Sequence, residues 1–277
     1  MDIDTFIRLA LEEDLGDGDH SSLSTIPETK VGAAQLLVKQ EGILAGVEVA
    51  EKVFQAVDPD TRLEIFIRDG KEIKPGDIAF KVSGSSISLL SAERLALNFM
   101  QRMSGIATYT HFLTSMLDGL HTKLLDTRKT TPNFRYFEKE AVRIGGGVNH
   151  RMGLYDMIMI KDNHVDFAGG ITDAIKATNT YLLEKQKKLK IEIEVRNLKE
   201  LREVMECRGV ERIMFDNFSI KDMKAAVEMV AGKYETEASG GITEESLREV
   251  AETGVDYISV GALTHQVRSL DLSLKAI

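Results

Sequence analysis

From about residue 121 onward the chain repeats one pattern: a short apolar run, a polar break, then a stretch with helical spacing. The apolar runs are TKLLDT, YDMIMIKDN, KIEIEV, ERIMFDN, KYETEAS and DYISVG. Between the later ones lie helices with legible ends. Asn197 precedes LKELREVMEC, with Glu200 three residues on at the spacing of a capping box and Gly209 closing it. Ser219 opens IKDMKAAVEMV, whose Ile220, Met223, Val227 and Val230 share a face before Gly232, and Thr243 opens the helix closed by Gly254. Strands that alternate with helices run parallel, and several in succession predict a β/α barrel. After the runs come Asp126-Thr127-Arg128-Lys129, Lys161-Asp162, Glu194, Asp216, Ser239-Gly240-Gly241 and Gly261, the last four at intervals of 22, 23 and 22 residues. In such a barrel these positions form one rim, the carboxyl-end face where barrel enzymes place their chemistry.

The N-terminal part reads differently. Residues 2–13 predict a short helix ended by the turn-rich DLGDGDHSS, which resembles no calcium loop and is read as structural. AAQLLVKQEGILAG and RLEIFIRDGKEIKPGDIAFKVSG fit antiparallel strands, with Asp69-Gly70 as a hairpin turn. SLLSAERLALNFMQRMSG follows as an amphipathic helix, with Leu89, Ala92, Ala96, Phe99 and Met103 on its apolar face and Arg94, Asn98 and Gln101 or Arg102 on another.

Charge points to the same rim. The chain carries a formal net charge of −9, yet residues 128–161 hold seven Lys and Arg against three acids, leaving −13 outside that window. Arg128, Lys129, His150, Arg151 and Lys161 fall on adjacent loops of the predicted rim. Like charges about 4 Å apart repel by ~4 kcal/mol at an effective dielectric near 20, so the cluster needs acids or an anionic ligand to offset it. Arg135, Lys139 and Arg143 are read instead as the solvated face of a helix. Gly145-Gly146-Gly147 has the spacing of neither a P-loop nor a dinucleotide fingerprint. The acidic balance argues against non-specific nucleic-acid binding, which needs a broad basic face. No apolar run approaches the ~20 residues that span a bilayer, and the acidic N-terminus is unlike a signal peptide. A single cysteine, Cys207, read as packing, excludes an internal disulfide and fits a reducing, cytoplasmic address.

Glu194 and Asp216 end neighbouring strands opposite the cations. Two such carboxylates suit magnesium, which keeps waters and bridges substrate phosphates; the alternative is pairing with Lys161 or Arg151 alone. SGGI at 239–242 and VGALTH at 260–265 offer backbone N–H groups at the last two strand exits, where barrels often cradle a phosphate.

DTRKTTP, EKEAVRIGGGVNHRMGL, IKDNH, EIEV, FDNF, EASGGI and ETGVDYISVGALTH, with LEEDLGDGDHSS and SAERLALNFMQRMSGIAT before them, closely resemble the quinolinate phosphoribosyltransferase family over about residues 8–272. The resemblance implies an N-terminal α/β sandwich (1–104), an incomplete β/α barrel (105–266) and a tail (267–277) returning to the first domain, the type II phosphoribosyltransferase architecture. It implies transfer of phosphoribosyl from phosphoribosyl pyrophosphate to quinolinate with decarboxylation, for NAD synthesis. By motif, Arg128, His150 and Arg151 would hold the two quinolinate carboxylates. Lys129 and Lys161 would lie between quinolinate and the diphosphate, as catalytic groups with Glu194 and Asp216, which would also take the ribose hydroxyls and Mg2+. Asp162, Ser239, Gly240, Gly261 and His265 would bind the phosphoribosyl donor. Arg94 would reach into a partner subunit's site, making a homodimer the minimal unit and leaving larger assemblies open. Asn133 stands where the family often has glycine; Asn tolerates the left-handed conformation, so the turn is expected to survive.

The alternative function is a related type II phosphoribosyltransferase acting on another base, such as the paralogue associated with molybdenum transport. A Schiff-base lyase using Lys161 and a non-catalytic anion sensor are the readings from other classes.

Overall fold

The computed structural model describes residues 2–277. They form two compact units: residues 2–111, Tyr136–Gly146 and Gln266–Ile277 make the first, and Phe112–Arg135 with Gly147–His265 the second. Among the described residues no helix is long and apolar enough to cross a membrane.

The chain begins with α1 (Ile3–Leu15), α2 (His20–Thr25), β1 (Val31–Val38), β2 (Gly42–Ile43) and α3 (Val47–Val57). Next come β3 (Arg62–Ile65), β4 (Glu72–Ile73), β5 (Ile78–Ser85) and the long α4 (Ser86–Ser115). β6 (Lys123–Leu125), α5 (Arg135–Ile144), β7 (Ile158–Ile160), α6 (Asp162–Ala168) and α7 (Ile171–Glu184) follow. The rest is β8 (Ile191–Val195), α8 (Leu198–Cys207), β9 (Arg212–Asp216), α9 (Ile220–Val230), β10 (Glu235–Ser239), α10 (Glu244–Ala251), β11 (Tyr257–Ser259), α11 (Ala262–His265) and β12 (Leu272–Ala276).

In the first unit an antiparallel sheet in the order β12-β1-β5-β3 is joined by the small pair β2-β4. The tail strand β12 pairs with β1 from Ala34↔Ala276 to Val38↔Leu272. The core is aromatic and aliphatic. Phe99 of α4 meets Phe137 of α5 edge-on at 4.8 Å, Phe6 of α1 closes the trio at 5.0 Å from Phe137, and Phe54 meets Phe80 at 6.2 Å. The apolar stripe expected on α4 is buried at Leu89, Ala92, Ala96, Phe99 and Met103. That helix also runs further than its pattern announced, through Gly105, where an added Cβ would lie 2.2 Å from the Arg268 carbonyl oxygen. Glycine is retained mid-helix because the returning tail crosses there.

By packing, the first compact unit takes in α4 as far as residue 111 and also 136–146, where Phe137 packs on Phe6 and Phe99. Two expectations change here. Asp69-Gly70 is a turn, with Gly70 at φ +83°, but not a hairpin between paired strands, since β3 pairs with β5 and β4 with β2. Asp69 instead accepts a hydrogen bond from Val47 N–H at 2.9 Å, capping α3 where Gly46 has no side chain to do so. Lys139 is no solvated residue: it is wholly buried, next to Glu138, which pairs with Arg102 at 2.7 Å. Arg135 is likewise engaged, by Thr130 and the Met152 carbonyl, and of the three only Arg143 sits exposed, against Glu140.

The second unit is a parallel sheet in the order β6-β11-β10-β9-β8-β7. Its strands are the six read from the sequence. β6 and β7 are the ends of the order, so the barrel is incomplete, and an isolated bridge from Leu125 to Val148 extends the β6 edge. Asn197 accepts from the N–H groups of Lys199 and Glu200, Ser219 from Asp222 N–H, and Thr243 and Ser246 form a capping box. The Glu200 carboxylate turns to Arg196 rather than completing a box with Asn197.

Candidate active site

Strand parity builds the site. The register aligns Glu192 with Arg212, Glu194 with Met214, Met214 with Glu237, Glu237 with Tyr257 and Asp216 with Ser239. Partners in a parallel pair share a face, so these residues line one side of the sheet. Ile191, Ile193, Val195, Ile213, Phe215, Ala238 and Ile258 line the other, all buried. Glu194, Asp216 and Ser239 are last or next to last in their strands and so stand at the carboxyl-end rim.

The rim residues meet in small groups. Lys161 Nζ lies 3.0 Å from Glu194 Oε2; the lysine is half exposed, the carboxylate 8% exposed. Asp216 accepts a hydrogen bond from Asn217 Nδ2 at 2.9 Å. Asn217 N–H donates to the Ser239 carbonyl at 2.9 Å, and a Cβ on Gly240 would lie 2.3 Å from Asn217 Oδ1. A Cβ on Gly261 would lie 2.9 Å from Lys129 Cδ and 3.1 Å from His265 Nε2, while Thr264 donates to the Lys129 carbonyl at 2.7 Å. Glycine at 240 and 261 therefore lets two loops close on side chains that a larger residue would displace. Asp162 opens α6, its carboxylate accepting from Asn163 N–H at 2.7 Å.

Arg128 and Arg151 stand out by what they lack. Neither guanidinium is paired with a carboxylate among the described residues, and Arg128 Nε is buried without a hydrogen-bond partner. Arg151 donates only to neutral groups, the Met157 carbonyl at 3.2 Å and the Met159 sulfur at 3.8 Å. Burial and the charge of Arg128 both hold the Arg151 pKa below its ordinary value. Two half-desolvated guanidiniums that destabilise each other form a place where an anion would be stabilised, and the planar fork suits a carboxylate.

His150 faces inward. Its Nε2 lies 3.0 Å from Glu192 Oε2 and 3.4 Å from Glu237 Oε2, and both carboxylates are fully buried. Its main-chain N–H donates to the buried Asp126 carboxylate at 2.8 Å, and its Nδ1 receives the Arg151 N–H at 2.6 Å. Burial lowers the imidazole's pKa, but Glu192 and Glu237 outweigh it and lift the value to about 9. The Arg151 N–H at Nδ1 opposes that rise without reversing it. Burial and the neighbouring Glu237 push Glu192 up to about 7. Arg212 holds Glu237 at 3.2 Å and Glu235 at 3.0 Å while stacking over Tyr257 at 4.2 Å. His150, Glu192 and Glu237 are also a group of three metal-capable side chains, with ligand atoms within 4.8 Å of one another. With Arg212 already bound to Glu237, a further cation there would be opposed by charge.

Within the second unit the structure thus gathers Lys161 with Glu194, Asp216 with Ser239 and Gly240, Lys129 with Gly261 and His265, and Arg128 with Arg151. Arg94 lies exposed on α4 in the first unit. Glu192, Arg212, Glu237 and Asn217 went unread in the sequence. The signal for the first three was present, since the alternation that selects Glu194, Asp216 and Ser239 also selects Glu192 and Glu237 two before and Arg212 four before. Asn133 adopts φ +62°, the left-handed turn expected where the resembling family often has glycine.

A parallel β/α sheet whose strand ends present cations, carboxylates and glycine loops has its polar groups where β/α-barrel enzymes place their chemistry. Residues 19–104 match the N-terminal domain and residues 106–275 the C-terminal domain of quinolinate phosphoribosyl transferase. A chloroplastic nicotinate-nucleotide pyrophosphorylase (carboxylating) of Oryza sativa is 44% identical over 99% of this chain and 77% of its own length. A probable nicotinate-nucleotide pyrophosphorylase (carboxylating) of Bacillus subtilis is 42% identical over 95% and 89%. The crystal structure of NadC from Streptococcus pyogenes superposes with a TM-score of 0.94 at 38% identity, covering 99% of this chain and 97% of that one. The chain belongs to the quinolinate phosphoribosyltransferase family.

Proposed function

We propose that the chain transfers the phosphoribosyl group of phosphoribosyl pyrophosphate to quinolinate, giving nicotinate mononucleotide, pyrophosphate and carbon dioxide. The observation that carries this reading is the pair Arg128 and Arg151, two guanidiniums without carboxylate partners. A pyridine with two carboxylates supplies the missing anions; one with a single carboxylate leaves a guanidinium unanswered.

In this reading Arg128 and Arg151 hold the two carboxylates; His150, expected from the sequence to share that role, is buried against Glu192 and Glu237 and bonds the Arg151 main chain. Ser239, Gly240, Gly261 and His265 receive the 5′-phosphate, Lys129 lies beside the last two, and Asp162 is within the same rim. Lys161 and Glu194 stand between base and ribose, and Asp216 takes a ribose hydroxyl. The bond from the anomeric carbon to pyrophosphate breaks, and the pyridine nitrogen bonds to that carbon. The quaternised ring then accepts the electron pair left when the adjacent carboxylate departs as carbon dioxide, and a proton replaces it. Fixed charges that orient the reactants and meet developing charge supply the rate, so no covalent nucleophile is needed.

Glu194 and Asp216 are hard oxygen donors on neighbouring strand ends, a donor set that fits Mg2+ shared with substrate phosphates. When bound, the ion would neutralise charge on the diphosphate. The exposed Arg94 supports a homodimer in which it completes the partner subunit's site. Mixing inactive Arg94→Ala and Lys129→Ala proteins under subunit exchange then restores part of the activity. A single cysteine supports a reducing, cytoplasmic setting.

Purified protein with phosphoribosyl pyrophosphate and Mg2+ is expected to release carbon dioxide from quinolinate. Turnover of nicotinate with no release from quinolinate would transfer the assignment to a relative using another base.

A further inference from the structure

Glu192 and Glu237 are absent from the chemistry above, yet they are the most costly residues on the sheet's polar face. Both carboxylates are wholly buried, and Glu192 has no hydrogen-bond partner beyond its contact with His150. A buried charge survives only when paired. The pairing is the informative part: the shared partner is a loop residue, not a strand residue. His150 and Arg151 lie between the bridge at Val148 and β7, in a stretch with no ladder to hold it. In place of a ladder, side chains fix it. Asp126 takes the His150 main-chain N–H, Glu192 and Glu237 stand at ion-pair distance from Nε2, and Nδ1 receives the Arg151 N–H. The carboxylates are fixed in turn, Glu237 by Arg212 and by a hydrogen bond from Ser259. Arg151, at the far end, touches only a carbonyl and a thioether, so the main-chain anchor decides where its charge stands.

We propose that Glu192 and Glu237 are positioning residues that act through His150 to hold Arg151 at the dicarboxylate pocket. The inference rests on the reading of Arg128 and Arg151 as that pocket. It sets geometry against simple electrostatics. Glu192 also attracts Arg151 through space, so if charge alone mattered, neutralising the carboxylate would leave the cation freer and quinolinate would bind more tightly. If position matters, quinolinate binds less tightly.

The test measures kcat and both KM values for Glu192→Gln, Glu192→Leu, Glu237→Gln, His150→Gln and the double variant Glu192→Leu/His150→Gln. Glutamine keeps an oxygen acceptor for Nε2–H, so the Gln variants fold and carry the test even where Leu does not. The expected result is a rise in KM for quinolinate of about 3-fold for Gln and about 10-fold or more for Leu, with KM for phosphoribosyl pyrophosphate changed less than about 2-fold. In the His150→Gln background Glu192→Leu adds nothing further, because the route through His150 is already cut. A lower or unchanged quinolinate KM in both Gln variants overturns the proposal, as does a parallel rise in both KM values. Wild-type protein that fails to turn over quinolinate would instead defeat the functional reading, which the same assay reports separately.

Discussion

The two units differ in the groups that one part of each interior gathers. In the first, inward positions go to Phe6, Phe54, Phe80, Phe99 and Phe137, with edge-to-face rings 4.8–6.2 Å apart. In the second, the polar face of the parallel sheet goes to Glu192, Arg212, Glu237 and Tyr257, with His150 brought in from a loop. Burying an aromatic ring stabilises a fold whatever its orientation, whereas burying a carboxylate is tolerable only when a partner stands in one place. The first unit therefore contributes stability, and the second exchanges stability for fixed charge positions. That exchange is what a site for two anionic substrates requires.

The comparison is broken most readily at its apolar end. Phe54→Ala is expected to cost about 3–5 kcal/mol in denaturant unfolding, with KM for quinolinate unchanged in the protein that remains folded. A shift in KM of similar size would show that the first unit's packing also sets the pocket. At the polar end, Arg151→Leu is expected to lower kcat/KM for quinolinate by roughly 30- to 1000-fold, about 2–4 kcal/mol, with little change in the melting temperature. Steady-state kinetics beside a thermal melt separates the two.

Charge makes the second unit's stability depend on pH. His150 has a pKa raised to about 9, so its contribution is complete below the ordinary 6.5 and is lost as pH rises through about 9. Glu192, raised to about 7, acts in the same direction, since the fold keeps its proton more readily than the unfolded chain does. Glu237 and Arg212 face the same cluster. Melting temperature is expected to fall between pH 6.5 and 9, and His150→Gln to flatten that decline. An identical slope in the variant would place the titrating group elsewhere. The smallest effect belongs to a turn. Asn133→Ala is expected to cost about 1 kcal/mol because φ is +62° there, and Asn133→Gly less than about 0.5 kcal/mol.

The six strands, their order of chemistry and the helix caps were legible because each is a local pattern: a short apolar run, a capping residue, a regular interval from Glu194 to Gly261. What lay beyond reach depended on partners distant in sequence. Lys139 looks solvated in a helix rich in charge, but Phe137 draws that helix into the first unit's core. Asp69 looks like a hairpin turn, but its carboxylate is used by Val47, 22 residues away. Glu192 and Glu237 carry the same alternation as the rim residues. One-dimensional reading gives weight to the last polar residue of a strand and overlooks the one before it, whose value appears only when His150 arrives from another loop.

Equilibrium titration of quinolinate and nicotinate into the wild type and into Arg128→Leu and Arg151→Leu tests the central claim most directly. Two unpaired guanidiniums predict that the dicarboxylate binds at least about 10-fold more tightly than the monocarboxylate, and that either substitution removes the preference. Equal affinity for the two pyridines, or a preference that survives both substitutions, would contradict the account.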